Sequence, residues 1–200
     1  TITGGTTLDV TDLNNAISRT NTVATGTVDL VFSADDNTTT INGGTATEFA
    51  TTLLTHKTNN RVSFTGVNLS IDGTTVTTAQ ANDLTAATTG TVTTTVSDGD
   101  LDTLTGLNAK TNAALAVTVT DTAGTAAELN TVNAGTTSAV NANAVVTIES
   151  STASDLATLM ADAQDDTKFT NTSFVDLTTN GVTITGGTTL DVTDLNNAIS

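Results

Sequence analysis

Two hundred residues carry 21 Asp and Glu against five Lys and Arg, a formal net charge of −16, with no Cys, Trp, Tyr or Pro, one His and one Met. That composition excludes a disulfide scaffold, a zinc or iron–sulfur site built from Cys or several His, and a basic nucleic-acid face. No apolar run exceeds five residues (113–117), so the sequence offers nothing to span a bilayer.

The chain begins TITGGTTLDVTDLNNAIS, and the same 18 residues return at 183–200, 182 positions later. Identity of that length marks a tandem array. On this expectation 1–182 is one full repeat, 183–200 starts the next identical one, and neither end of the window is a true terminus. A segment duplicated at both ends of a closed domain is the alternative. One period then holds 19 acids and five bases, a charge of −14.

Helix starts and strands alternate along the period. A helix start shows as a Thr, Ser or Asp whose oxygen caps a backbone N–H, with an acid or amide three residues on. In chain order the pattern gives a helix from Asp9…Asp12, a strand over 28–32, a helix from Thr45…Glu48 and a strand over 61–64. Next come a helix from Thr77…Gln80, a strand over 91–96, a helix from Ser97…Asp100 and a strand over 115–120. A helix from Thr125…Glu128, a strand over 144–148, a helix from Thr152…Asp155 and a strand over 182–185 follow, and Asp191…Asp194 opens the next copy. The second residues of these signatures step by 36, 32, 20, 28, 27 and 39 residues, together 182. Six β-α units, starting near 9, 45, 77, 97, 125 and 152, therefore make one period. Each helix carries one apolar stripe, as in Leu13/Ala16/Ile17 and Leu156/Leu159/Met160/Ala163. Most strands alternate apolar residues with Thr, the period-two pattern of a strand with one wet face. Asn42-Gly43-Gly44, Asp72-Gly73, Asp98-Gly99, Ala134-Gly135, Asn180-Gly181 and Gly186-Gly187 read as turns.

Strands joined by helical crossovers imply parallel pairing. A doubly wound domain would need strands apolar on both faces, and these keep a Thr face. The expected fold is therefore α/β, a repeat solenoid with a parallel β wall and short helices, about six rungs per period. Globular sandwich domains are the competing reading, and the helix signatures oppose it.

Little in the sequence carries chemistry. Asp98, Asp100 and Asp102 alternate like the start of a calcium loop, but Thr103 and Ala109 stand where such a loop needs Gly and Glu. They are the candidate metal residues, a capping cluster being the other reading. No other cofactor is expected. Asp35-Asp36 and Asp162…Asp165-Asp166 read as solvated faces that divalent cations can screen. His56, beside Lys57 and Arg61, reads as a solvated helix end where cations offset the helix dipole, rather than an anion site or pH-sensitive contact. One His gives no basis for a catalytic triad, and no enzymatic activity is expected. Thr-x-Thr pairs at Thr1/Thr3, Thr91/Thr93/Thr95, Thr118/Thr120 and Thr183/Thr185 suit β structure; an ordered-water face like that of ice-binding solenoids would need rungs of equal length. Asn37, Asn68 and Asn171 head glycosylation sequons.

The stretches TTAQANDLTAATTGTVTTTVSDGDLDTLTGL (77–107) and VTVTDTAGTAAELNTVNAGTTSAVNANAVVTI (117–148) resemble tandem repeats of giant cell-surface proteins of marine cyanobacteria and related bacteria. The resemblance implies secretion to the cell surface and a role in an outer layer, a fibre, motility or adhesion. It carries no catalytic residues, and both the first unit and 165–177 depart from the pattern. The expectation is an extracellular structural segment whose partners are neighbouring repeats of its own chain, like fibres beside it, divalent cations and glycans. A stalk for a bacterial surface adhesin, with binding domains outside this window, is the alternative.

Overall fold

The computed structural model describes residues 7–23, 30–31, 38–149 and 151–170. Contacts divide the chain into two units, Thr1–Ser97 with Asn112–Leu115, and Asp98–Thr111 with Ala116–Ser200. The fold is mixed α/β, with a parallel sheet of five strands.

In the first unit, strand β1 (Thr7–Asp9) leads into helix α1 (Val10–Val23). Strands β2 (Leu30–Val31) and β3 (Thr40–Asn42) follow. A π-helical segment, Glu48–Leu53, continues as α2 (Leu54–Thr58). Then come β4 (Val62–Ser63), β5 (Asn68–Val76), α3 (Thr78–Ala87), β6 (Val92–Val96) and β7 (Ala113–Ala116). The sheet order is β1-β3-β5-β6-β7, each strand added beside its predecessor with no reversal, and β2 pairs with β4 outside that sheet. A doubly wound domain reverses its strand order at a switch point; this sheet does not. Register places Leu8, Ile41, Leu69 and Val92 in one row across the sheet. Three of these are buried, Leu8 being half-buried, and Phe49, Leu53, Phe64 and Leu84 fill the same core.

The second unit contains α4 (Leu101–Leu104), β8 (Ala123–Gly124), α5 (Ala126–Ala134), β9 (Val140–Asn141), β10 (Thr147–Ile148), α6 (Ala153–Ala163) and β11 (Phe169–Thr170). Here too the described pairs are parallel: β8 with β10, β9 with β11, and Thr118 bridged to Asn141. Leu104, Leu129, Val132, Leu156, Leu159 and Phe169 are buried.

The caps follow the sequence pattern. Thr77 with Gln80 and Thr125 with Glu128 are complete capping boxes. Thr45 Oγ1 accepts from the Glu48 amide at 3.3 Å while the Glu48 carboxylate accepts from the Thr45 amide at 2.8 Å. Thr152 Oγ1 accepts from the Asp155 amide, and Asp9 Oδ1 accepts from the Thr11 and Asp12 amides. One cap differs from expectation. Helix α4 starts at Asp100, which accepts from the Thr103 amide, and not at Ser97, whose amide and hydroxyl both turn back to the Val76 carbonyl.

The strands differ more. Asp72-Gly73 is no turn: β5 runs through it, and three extra residues bulge between Ser70 and Thr75 where Gly73 adopts φ +74. The strand expected over 115–120 lies earlier, at β7. Only 30–31 of the 28–32 strand is described, and the expected 182–185 strand, the Asp191…Asp194 helix and the turns at 180–181 and 186–187 lie outside the described residues. Gly43 and Gly44 do form a turn, at φ +70 and +63, and a side chain on Gly44 would meet Val10 and Glu48.

Candidate functional site

The three candidate calcium residues have separate local roles. Asp100 is the N-cap of α4, and the Thr103 hydroxyl and amide hold its carboxyl below the ordinary carboxylate range. Asp102 is exposed in the first helical turn, and Asp98 is half-buried ahead of it. The α4 N-terminus takes its second carboxylate from elsewhere: the Leu101 amide donates to Asp121 Oδ2 at 2.6 Å. Among the described residues no three His, Asp or Glu lie close enough to hold a metal ion together.

His56 is buried, 8% exposed, in the last turn of α2, and is not the solvated helix end the sequence suggested. The chain turns sharply after α2, the Arg61 amide donating to the His56 carbonyl at 2.9 Å. Its Nε2 has no hydrogen-bond partner. Burial, with the Arg61 charge second, pushes its pKa below the ordinary imidazole value. Lys57 instead lies over the Phe64 ring at 5.7 Å.

The remaining polar residues knit successive chain segments together. In the first unit α1 packs on the π-helical segment and that segment on α3; in the second, α4 packs on α5 and α5 on α6. Two asparagines join consecutive helices in the same way. Asn14, five residues after the Asp9 cap, donates to the main-chain carbonyl of Glu48, three after the Thr45 cap, at 3.2 Å. Asn130, five after the Thr125 cap, donates to the carbonyl of Asp155, three after the Thr152 cap, at 2.9 Å. The Glu48 carboxylate also accepts from the Thr11 hydroxyl at 2.7 Å, the first cause of its lowered pKa, and the Asn133 amide donates to Asp162 Oδ2 at 2.9 Å. Asn112, just ahead of β7, donates to the carbonyls of Thr85, Thr88 and Gly90 at and beyond the end of α3. None of these asparagines was singled out from the sequence. The signal was there for two of them: Asn14 and Asn130 share a fixed offset from their caps.

Asn68, one of the sequon residues, is half-buried and accepts from the Thr91 amide at 2.8 Å. Asp165 accepts from the amide and hydroxyl of Thr167, which lower its pKa; Asp162 is half-buried, and Asp166 faces solvent. Asp35, Asp36, Asn37 and Asn171, with Thr1, Thr3, Thr183 and Thr185, lie outside the described residues. Among the described residues, one open groove of about 690 Å³ is lined by Lys57, Asn59, Asn60 and Asp83, and another of about 490 Å³ by Lys110, Asn133, Asp162 and Lys168. Among the described residues no helix is long and apolar enough to cross a membrane. Comparison with known proteins finds no matching family model, no matching curated protein and no matching solved structure.

Proposed function

We propose that this chain is a structural segment of a long extracellular fibre or surface layer, built from tandem 182-residue repeats coiled as a solenoid of about six rungs each. The role is mechanical and involves no catalysis. One observation carries the reading: in both units, strands pair in parallel and helices pack on helices in chain order. Chain-order stacking lets each β-α unit bury its stripe only against the units before and after it, which is how a repeat array grows along one axis. The 18-residue identity at a spacing of 182 supports continuation in further copies. The extracellular setting rests on the resemblance of 77–107 and 117–148 to bacterial cell-surface repeats. A charge of −16 keeps neighbouring fibres apart in dilute salt, and divalent cations screen it.

Electron microscopy of the native particle tests this through its axial repeat. Six rungs at the parallel-strand spacing of about 4.8 Å advance roughly 29 Å per period. A continuous thin rod with that repeat supports the fibre. Beads spaced by about 40 Å or more, the diameter of a globular 182-residue domain, overturn it.

A further inference from the structure

We infer that the groove beside helices α5 and α6 binds a carboxylated sugar, Lys110 and Lys168 taking its carboxylate and Asp162 with Asn133 taking its hydroxyls. The inference rests on the fibre reading only for its setting, an outer surface that meets acidic glycans.

The groove is built from both helices of a packed pair. α5 packs on α6, and Asn133 of α5 lines the groove together with Thr158 and Asp162, one turn apart on α6. Lys110, in the loop after α4, and Lys168, just ahead of β11, line it as well. The main chain of Lys168 is fixed, its amide donating to the Asp165 carbonyl and its carbonyl accepting from the Val140 amide, both at 2.8 Å. Asn133 and Thr136 are the buried polar part of the lining, 7% and 8% exposed. The Asn133 amide donates to Asp162 Oδ2 at 2.9 Å. That bond orients both groups and leaves each a further oxygen that can accept. At about 490 Å³ the groove has the size of a small-molecule site.

Charge and hydrogen-bonding chemistry name the ligand. All three lysines of the chain line one groove or the other. Lys57 is drawn over the Phe64 ring, whereas Lys110 and Lys168 share the α5–α6 groove, whose lining holds one carboxylate. On a chain of charge −16, two cations in one concave site focus an anion there. A phosphate or an acidic peptide satisfies the lysines but sets further negative charge beside Asp162 and brings it few donors. A neutral sugar satisfies Asp162 and leaves the ammonium groups without a counter-charge. A sugar acid answers both halves of the site, its carboxylate pairing with lysine and its hydroxyls donating to the acid and the amide oxygen.

Isothermal titration calorimetry of the 200-residue chain tests this with three probes: trigalacturonate, its methyl ester and a hexa-aspartate peptide. Trigalacturonate is expected to bind with a Kd below about 1 mM, and the ester and the peptide at least about tenfold more weakly. Lys110→Ala and Lys168→Ala, both at exposed positions, are each expected to weaken trigalacturonate binding about tenfold with Tm unchanged. Asp162→Asn separates the two halves of the site: it is expected to weaken the sugar acid and strengthen the peptide. No heat with trigalacturonate at about 10 mM overturns the inference. So does equal binding of the ester, which removes the lysines' role, or of the peptide, which makes the groove a seat for an acidic chain. So does trigalacturonate binding that both lysine variants retain. None of these results touches the fibre reading, which stands or falls on the axial repeat.

Discussion

Asn130 donates its side-chain amide to the main-chain carbonyl of Asp155 at 2.9 Å, while its own Oδ1 is buried without a partner. Asn14 repeats both features against Glu48. An amide in this position therefore acts as a one-sided clamp between consecutive helices. Asn130→Ala is expected to destabilise the second unit by about 1 kcal/mol, the net worth of one hydrogen bond. Asn130→Asp is expected to cost more, about 2–3 kcal/mol at pH 7, because it turns an acceptor toward the carbonyl and adds a half-buried charge. Urea unfolding followed by circular dichroism measures both. Equal effects would show that only side-chain packing matters at the joint.

Asn112 is the more heavily committed residue. Its one amide group serves three carbonyls, those of Thr85, Thr88 and Gly90, at 3.3, 2.9 and 3.0 Å. Thr85 lies in the last turn of α3 and Thr88 is its C-cap, where the chain turns extended and the Thr88 hydroxyl donates to Val67 O at 2.7 Å. Asn112→Ala is expected to cost about 1–3 kcal/mol, since it strands acceptors that are not all replaced by water. Exchange at the end of α3 should accelerate with it. An unchanged midpoint would mean that solvent takes over the amide's role.

These two residues mark the limit of what the sequence makes legible. Helix starts are local: Thr77…Gln80 and Thr125…Glu128 close their boxes within four residues, so the pattern alone finds them. Bonds that cross from one segment to the next, such as Asn112 to Thr88, join residues 24 positions apart and leave no local trace. Asp72-Gly73 shows the same boundary. Its composition suits a turn, but pairing with β6 on both sides keeps it inside a strand, with the extra residues thrown into a bulge. His56 misleads for a related reason: the cations beside it suggested a solvated end, while the ring is buried in the last turn of α2. The candidate site was least legible, because the three aspartates differ only through partners, Thr103 for Asp100 above all.

Thr94 offers a stabilising substitution. Alternation along β6 exposes Thr93 and Thr95 and turns Val92, Thr94 and Val96 inward. The Thr94 hydroxyl is buried and has no hydrogen-bond partner. Thr94→Val keeps the β-branched shape and removes the orphaned group, and is expected to raise stability by about 1 kcal/mol. Thermal melting checks this. A drop in Tm would show that the hydroxyl is satisfied in solution.

Acid should weaken the fold in two separate stages. Burial holds the His56 pKa below its ordinary value near 6.5, so the folded chain binds that proton less readily than the unfolded one. Its contribution is complete above pH 6.5 and is lost as pH falls from there toward the depressed folded value, where the unfolded state alone is protonated. Glu48, Asp100 and Asp165 have the opposite chemistry and the same direction of loss. Threonine hydroxyls and amides lower their pKa values, so their contribution is complete above the ordinary carboxylate range and disappears as pH falls through the depressed values. Urea midpoints at pH 8, 5.5 and 3 separate the stages. The wild type is expected to lose stability between pH 8 and 5.5, and His56→Leu to abolish that loss while keeping the later one below pH 4. If His56→Leu leaves the first stage intact, the imidazole is not its source, and the solvent reaches Nε2 despite its burial.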